Sequence, residues 1–377
     1  MVAPALSEDR EQLVADFVRY CEIESPSGRE RAMIDALAAD LRWLGLDPLE
    51  DDTAADTGSD AGNLLVRIPG PEDARTILLC AHVDTVPLDA PVKVERRDGI
   101  LTNHNEAILG ADNKAAVATI MGAARRLVRD GSPVGVELLF TTSEELALRG
   151  AKAFARATLA SEFGYVFDHA SPIGEIVVAS PTYYRIEATF RGKAAHAGIR
   201  PEQGRNAIAA AARAIAAMPI GRLDAQTTSN VGRIEGGTEA NVVAERCRVL
   251  LEARSLDDAR AGEVAGRIVD AIGEAASDAD CDVETSVERR FHAYRLPRTA
   301  PAVETAAAAL AASGIEPVYI STGGASDANA LVAAGLPVVN LANGTERNHE
   351  PDESVTVEAL EQMLDVTLAL VRGAGAR

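Results

Sequence analysis

The apolar positions of the chain gather into four short runs, Thr76–Ala81, Val134–Thr141, Gly164–Phe167 and Leu336–Leu341, each of which reads as a buried strand. Between the first two, Gly110-Ala111-Asp112-Asn113-Lys114 opens an alanine-rich helical stretch. From Asn63 to Leu341 such runs alternate with Ala-rich periodic segments, the signal of β-α alternation and of an α/β fold with a mostly parallel sheet flanked by helices. Ahead of it, Glu8 to Leu46 reads as helical, interrupted at the turn Ser25-Pro26-Ser27-Gly28.

One segment departs from that alternation. Between Ser180 and Phe291 the pattern predicts strand (Tyr183–Phe190), helix (Asn206–Met218), strand (Thr228–Ile234), strand (Glu245–Ala253), helix (Asp257–Ala276) and strand (Asp282–Glu288). This β-α-β-β-α-β order is that of a ferredoxin-like α+β unit. Residues 180–291 are therefore expected to form an inserted domain, and residues 1–179 and 292–377 the main one. Arg295-Leu296-Pro297-Arg298 would be the return linker.

A length of 377 residues agrees with two domains. The net charge of −20 argues against a nucleic-acid or anionic-membrane partner, since phosphate binding needs clustered Lys and Arg. No apolar run is long enough to span a bilayer, and Glu8, Asp9, Arg10, Glu11 and Asp16 interrupt the N-terminal stretch where a signal peptide would be continuous. Cys21, Cys80, Cys247 and Cys281 are scattered without a C-x-x-C pair, which predicts buried free thiols in a reducing cytoplasm.

Five residues able to ligate a metal, His82, Asp112, Glu145, Asp168 and His349, follow the strand-like runs, with Asp112 at a loop-to-helix junction. In open α/β sheets such residues converge beyond the carboxyl ends of the strands. His82 and Asp84 face the same side of an extended backbone, and a metal-bound imidazole usually gives its other N–H to a carboxylate. Each residue also has a plain alternative. His82 can be a hydrogen-bonded core histidine, Asp112 a helix N-cap, and Asp168 a turn residue at a strand end. Adjacent carboxylates such as Glu144 and Glu145 usually lie on a solvated face; at a metal site one ligates and the other takes a proton. His349 sits in a polar loop ahead of a helix that Thr356 would cap. Their conjunction on successive strand ends is what favours a two-metal hydrolase.

The segments LLCAHVDTVP (78–87), LGADNKAAVATI (109–120), LLFTTSEELALRGA (138–151), YVFDHA (165–170), GKAAHAG (192–198), GGASDAN (323–329) and NHEPDESV (348–355) resemble, in this order, the M20 family of dinuclear zinc amidohydrolases and peptidases, in its peptidase T-like branch. The resemblance implies that His82, Asp112 and Asp168 hold one zinc and Asp112, Glu145 and His349 the other, donors that also admit cobalt or manganese. It implies Glu144 as general base and Asp84 as the residue orienting His82. Asp168 suits the peptidase branch, whereas Asn113 and Ala147 stand where a second acid and a glycine are common. His196 looks like the family's oxyanion-stabilising histidine, often acting on the partner subunit's site; a surface-loop histidine is the alternative. Asn241 and Arg254 resemble substrate contacts, although a strand-end arginine is more often a solvated charge. Gly323, Gly324, Ser326, Asp327 and Asn329 would shape the specificity pocket. His104, His169 and His292 match no motif and read as structural.

The function expected on this basis is hydrolysis of the peptide bond of short peptides by a cytoplasmic dizinc aminopeptidase similar to tripeptidases, a homodimer joined through the inserted domain. The alternative is an N-acyl-amino-acid deacylase or carboxypeptidase using the same centre. A metal-binding scaffold without chemistry would have no need of Glu144.

Overall fold

The structure is a computed structural model that describes residues 7–375; the first six residues, part of the stretch read as lacking a signal peptide, lie outside that range. The chain divides into two compact units, one running to Val178 and resuming at Leu296, the other Ala179–Arg295. The second unit extends past Phe291 because Tyr294–Arg295 pairs with Ala179–Ser180. At the crossing, Leu296 N donates to Val178 O at 2.8 Å, so the chain leaves and re-enters the first unit side by side.

The first unit is built on four parallel strands in the order Gly135–Thr141, Thr76–His82, Phe163–His169 and Val338–Ala342. Antiparallel strands Leu64–Ile68 and Glu175–Ser180 flank them. Nearly every residue of the four is buried, as expected of parallel strands covered on both faces. Val338–Ala342 lies between Phe163–His169 and Glu175–Ser180, which are neighbours in sequence but not in the sheet. Helix Ala111–Asp130 packs on strand Thr76–His82 and on helices Ser7–Cys21 and Val357–Ala374. Most of its residues are buried, so alanine serves there for close approach as well as for helix propensity.

A small antiparallel sheet, Thr345–Glu346, Ser354–Thr356, Ile100–Asn103 and Val94–Arg97, was not legible in the sequence. It turns residues 347–353, with His349 among them, into the loop of a hairpin. Thr356 caps helix Val357–Ala374 as expected, accepting from Ala359 N at 3.0 Å.

The second unit is a five-stranded antiparallel sheet in the order Gly221–Asp224, Thr227–Gly236, Arg246–Ser255, Thr182–Arg191, Asp282–Phe291. Helices Ala207–Ala217 and Asp258–Asp278 pack against Ile186, Phe190, Val249 and Leu251 to form its own core. The last four strands have the ferredoxin-like arrangement, to which Gly221–Asp224 adds an edge hairpin. Among the described residues no helix is long and apolar enough to cross a membrane.

Candidate metal centre

The carboxyl ends of the parallel strands deliver the first ligand candidates: His82 ends Thr76–His82, and Asp168 is the penultimate residue of Phe163–His169. His82 Nε2 lies 3.1 Å from Asp112 Oδ1 and 3.5 Å from Asp168 Oδ1. His349 enters on the hairpin loop, its Nε2 2.8 Å from Glu145 Oε1 and 3.3 Å from Asp112 Oδ2. Asp112 thus turns one oxygen to each imidazole, as a carboxylate bridging two cations must. Its backbone is non-helical (φ −81°, ψ 101°) and its side chain does not cap Ala111–Asp130, so the capping alternative is not realised. Donor atoms of His82, Glu144 and Asp168 lie within 4.8 Å of one another, and so do those of His82, Asp112 and Glu145.

The glutamate pair follows Ser143, whose φ of +53° is rare for a residue with a Cβ. Glu30 holds that turn, its Oε1 accepting from Ser143 N and Oγ, both at 3.0 Å. Asp84 accepts from Glu144 N at 3.0 Å, Glu145 N at 3.2 Å and Ser27 Oγ at 2.6 Å. The sequence placed the Asp84 carboxylate on the second nitrogen of His82. In the structure His82 Nδ1 is nearer the main-chain oxygen of Asp84, 3.0 Å away, than Oδ1 at 3.5 Å. The main-chain oxygen is thus the nearer partner of the ring, and the carboxylate, beside the ring, also holds the N–H groups of the glutamate pair. Glu144 itself accepts no side-chain hydrogen bond among the described residues, although it is buried.

Three further buried groups bear on the centre without any motif to announce them. They are Glu30, Lys114, whose Nζ lies 2.6 Å from Ser25 Oγ, and Glu353, whose carboxylate accepts from backbone N–H groups of the loop before Asp112. Burial lowers the Lys114 ammonium to about 8 against the pull of nearby acids, and burial lifts Glu353 to about 7. Only the closeness of Glu353 to His349 in the NHEPDESV string hinted at it.

The electrostatics of the cluster call for positive charge. Burial raises Asp168 to about 8 and, with Asp168 and other acids nearby, pushes Glu144 well above the carboxylate range; Glu145 is also raised by burial. Hydrogen bonds to Asp112 and Glu145 lift His349 to about 10. Burial opposes a charged His82, yet Asp168, Asp112 and Asp84 overcome it and raise its pKa well above the ordinary value. Asp112 is driven the other way: burial opposes its charge, but His349 and His82 hold it well below the usual carboxylate range. Four buried or largely buried carboxylates against two imidazoles form a site that protons or cations must balance. Imidazole nitrogens and carboxylate oxygens gathered within 4.8 Å of one another fit divalent cations of the zinc, cobalt and manganese type.

The family model of peptidase family M20/M25/M40 matches residues 78–373. The chain belongs to this family. It is a peptidase, and hence a hydrolase, of the peptidase T-like kind. Protein YqjE of Bacillus subtilis strain 168, which is uncharacterized, is 35% identical over 367 residues, spanning 97% of this chain and 99% of that one. The structure of aminopeptidase PepT from Bacillus cereus ATCC 10987 is similar with a TM-score of 0.89 and 36% identity, covering 97% of this chain and 98% of that one. A tripeptidase from Staphylococcus aureus Mu50 gives a TM-score of 0.94 with 29% identity, over 98% and 99% of the two chains.

The remaining site candidates of this M20 peptidase stand as follows. Ser326 and Asn329 close a capping box on helix Asp327–Ala333, and Asp327 is buried with Oδ2 accepting from Thr141 Oγ1. Those three side chains are buried, with Asp327 close enough to raise the proton affinity of Glu144 and Asp168, whereas Gly323 and Gly324 are exposed. In the second unit, Arg254 pairs with Glu252 at 3.1 Å and lies 4.5 Å above the Tyr183 ring, so it is not a solvated charge. Asn241 is exposed, and its main-chain oxygen accepts from Ala197 N at 2.9 Å. His196 is exposed, and its Nδ1 accepts from Gly198 N at 3.2 Å, which leaves the proton of a neutral ring on Nε2. His104, His169 and His292 face the carboxylates of Glu95, Glu175 and Asp258 respectively.

Proposed function

We propose that this M20 peptidase is a two-metal aminopeptidase that cleaves short peptides. The observation that carries the reading is Asp112, whose Oδ1 faces His82 at 3.1 Å and whose Oδ2 faces His349 at 3.3 Å. His82, Asp112 and Asp168 would hold one cation and Asp112, Glu145 and His349 the other. Divalent cations held there, most simply zinc, would supply Lewis-acid polarisation of the scissile carbonyl and would lower the pKa of a bound water toward neutrality.

The residues of the chain then have distinct tasks. Glu144, without a side-chain hydrogen bond, takes a proton from the attacking water on its carboxylate and delivers it to the leaving amine. Asp84 keeps Glu144 and Glu145 in register by holding both of their N–H groups. His196, with Nε2 as donor, is assigned to the oxyanion in a homodimer formed through the second unit, and Asn241 and Arg254 to the substrate's polar ends. The similarity to an aminopeptidase and a tripeptidase favours substrates with a free α-amine. The four cysteines, all free and buried, accord with a cytoplasmic setting.

The deciding experiment is a screen of tripeptides, dipeptides and N-acetyl amino acids with zinc-, cobalt- and manganese-loaded protein. Turnover of tripeptides that is abolished by acetylating the α-amine is the expected result. Preferential release of acetate from N-acetyl amino acids would reject the reading in favour of a deacylase.

A further inference from the structure

We propose that Glu353 is a positioning residue for the metal centre: its carboxylate fixes the backbone of residues 109–112 and through it the bridging carboxylate of Asp112. The inference rests on the two-metal reading above. Glu353 Oε2 accepts from Leu109 N and Gly110 N, and Oε1 from Asp112 N, all at 2.8 Å. The residue is buried and belongs to neither cluster of ligand atoms found among the described residues.

These N–H groups lie where regular structure cannot satisfy them. Gly110 has a φ of +75° and Asp112 leaves the helical region, so the loop presents its amides together toward one anion. Such a concavity of amides ordinarily captures a ligand's phosphate or carboxylate. Here a side chain more than 240 residues away fills it, as the 241-residue separation of Glu353 from Asp112 shows. Glu353 comes four residues after His349 on the same hairpin loop, between Thr345–Glu346 and Ser354–Thr356. One loop therefore carries an imidazole to Asp112 Oδ2 and a carboxylate to the N–H of that same residue. Asp112 is held by its main chain as well as by its side chain, and a slip of the 109–112 backbone would pull its two oxygens out of line with the two imidazoles.

Glu353→Gln tests this, because a single amide oxygen cannot serve three donors and the amide NH2 must face at least one of them. The expected result is a 10- to 100-fold weaker hold on one of the two zinc ions in competition with a chelator, with kcat reduced and KM for a tripeptide little changed. Glu137→Gln is the control, since Glu137 is equally buried and accepts from Ala160 N and Ser161 N away from the centre. It is expected to lower the melting temperature without weakening zinc. Two zinc ions bound to folded Glu353→Gln as tightly as to the unsubstituted protein would overturn the proposal. Should that variant not fold, hydrogen exchange on the unsubstituted, metal-free protein decides: slow exchange at Leu109, Gly110 and Asp112 supports the clamp, and rapid exchange there overturns it. If the unsubstituted protein binds fewer than two zinc ions, the two-metal reading fails while the exchange measurement still judges Glu353.

Discussion

Glu144 and Glu145 are neighbours with opposite expected tasks, and substitution separates them. Glu144→Gln is expected to keep both metal ions, measured by elemental analysis, while kcat falls at least about 10²-fold, the usual contribution of a general base. Metal lost in step with activity would make Glu144 a ligand, since its carboxylate gathers with a ring nitrogen of His82 and the carboxylate of Asp168. His349→Ala is expected to release about one equivalent and leave the circular dichroism spectrum unchanged, since the ring is half exposed and touches only Glu145 and Asp112 within the centre. At this scale the candidate ligands were legible because each comes at or soon after a conspicuous apolar run, or at the glycine-bearing junction of Asp112, in a recognisable motif. Glu30, Lys114 and Glu353 were not, because they act on backbone atoms and hydroxyls distant in sequence, and no spacing records such a bond. Asp84 was found beside His82 but its second task was not: the alternation that puts it on the face of His82 says nothing of the amides of Glu144 and Glu145.

Elements followed the same division. Strands buried on both faces and long amphipathic helices declared themselves by periodicity, whereas the two- and three-residue strands Thr345–Glu346 and Ser354–Thr356 carry too few positions to show any. Helix Asp327–Ala333 carries a motif whose capping role the sequence reading did not give. Ser326 accepts from Ala328 N, and Asn329 Oδ1 accepts from Ser326 N at 3.2 Å. Ser326→Ala is accordingly expected to cost about 1 kcal/mol in urea unfolding, the common price of a lost N-cap, with KM for a tripeptide within about twofold of the unsubstituted value. A large rise in KM at unchanged stability would instead place the residue in the substrate pocket. Gly150 makes a comparable demand on local packing, for a Cβ there would stand 2.2 Å from Thr142 O, just ahead of the strained turn that presents Glu144.

For the whole molecule the assignment of His196 makes a prediction about subunits. If each active site combines Glu144 of one chain with His196 of the other, the inactive variants Glu144→Gln and His196→Ala should complement. Random reassortment of equal amounts makes about half the dimers mixed, each with one intact site, so activity should return to roughly a quarter of the unsubstituted level. Dimers shown by two affinity tags to be mixed, yet inactive, would end the role of His196 in trans. The two-unit organisation was readable from the switch between helix-separated and paired strands. Its boundaries were less so, since Tyr294–Arg295 joins the second unit through a pairing of two residues.

The place of Val338–Ala342 in the sheet also bears on the order in which a growing chain can fold. The second unit is one continuous stretch with its own core, complete once Arg295 has been synthesised. The sheet of the first unit cannot close then, because Phe163–His169 and Glu175–Ser180 must leave a slot between them for a strand that comes after everything in the second unit. The slot is lined by strands of apolar residues with unpaired amides and carbonyls, an edge prone to aggregation until it is filled. On the ribosome the inserted unit can therefore fold early, while the metal centre, which awaits His349 beyond that last strand, is among the final features to form.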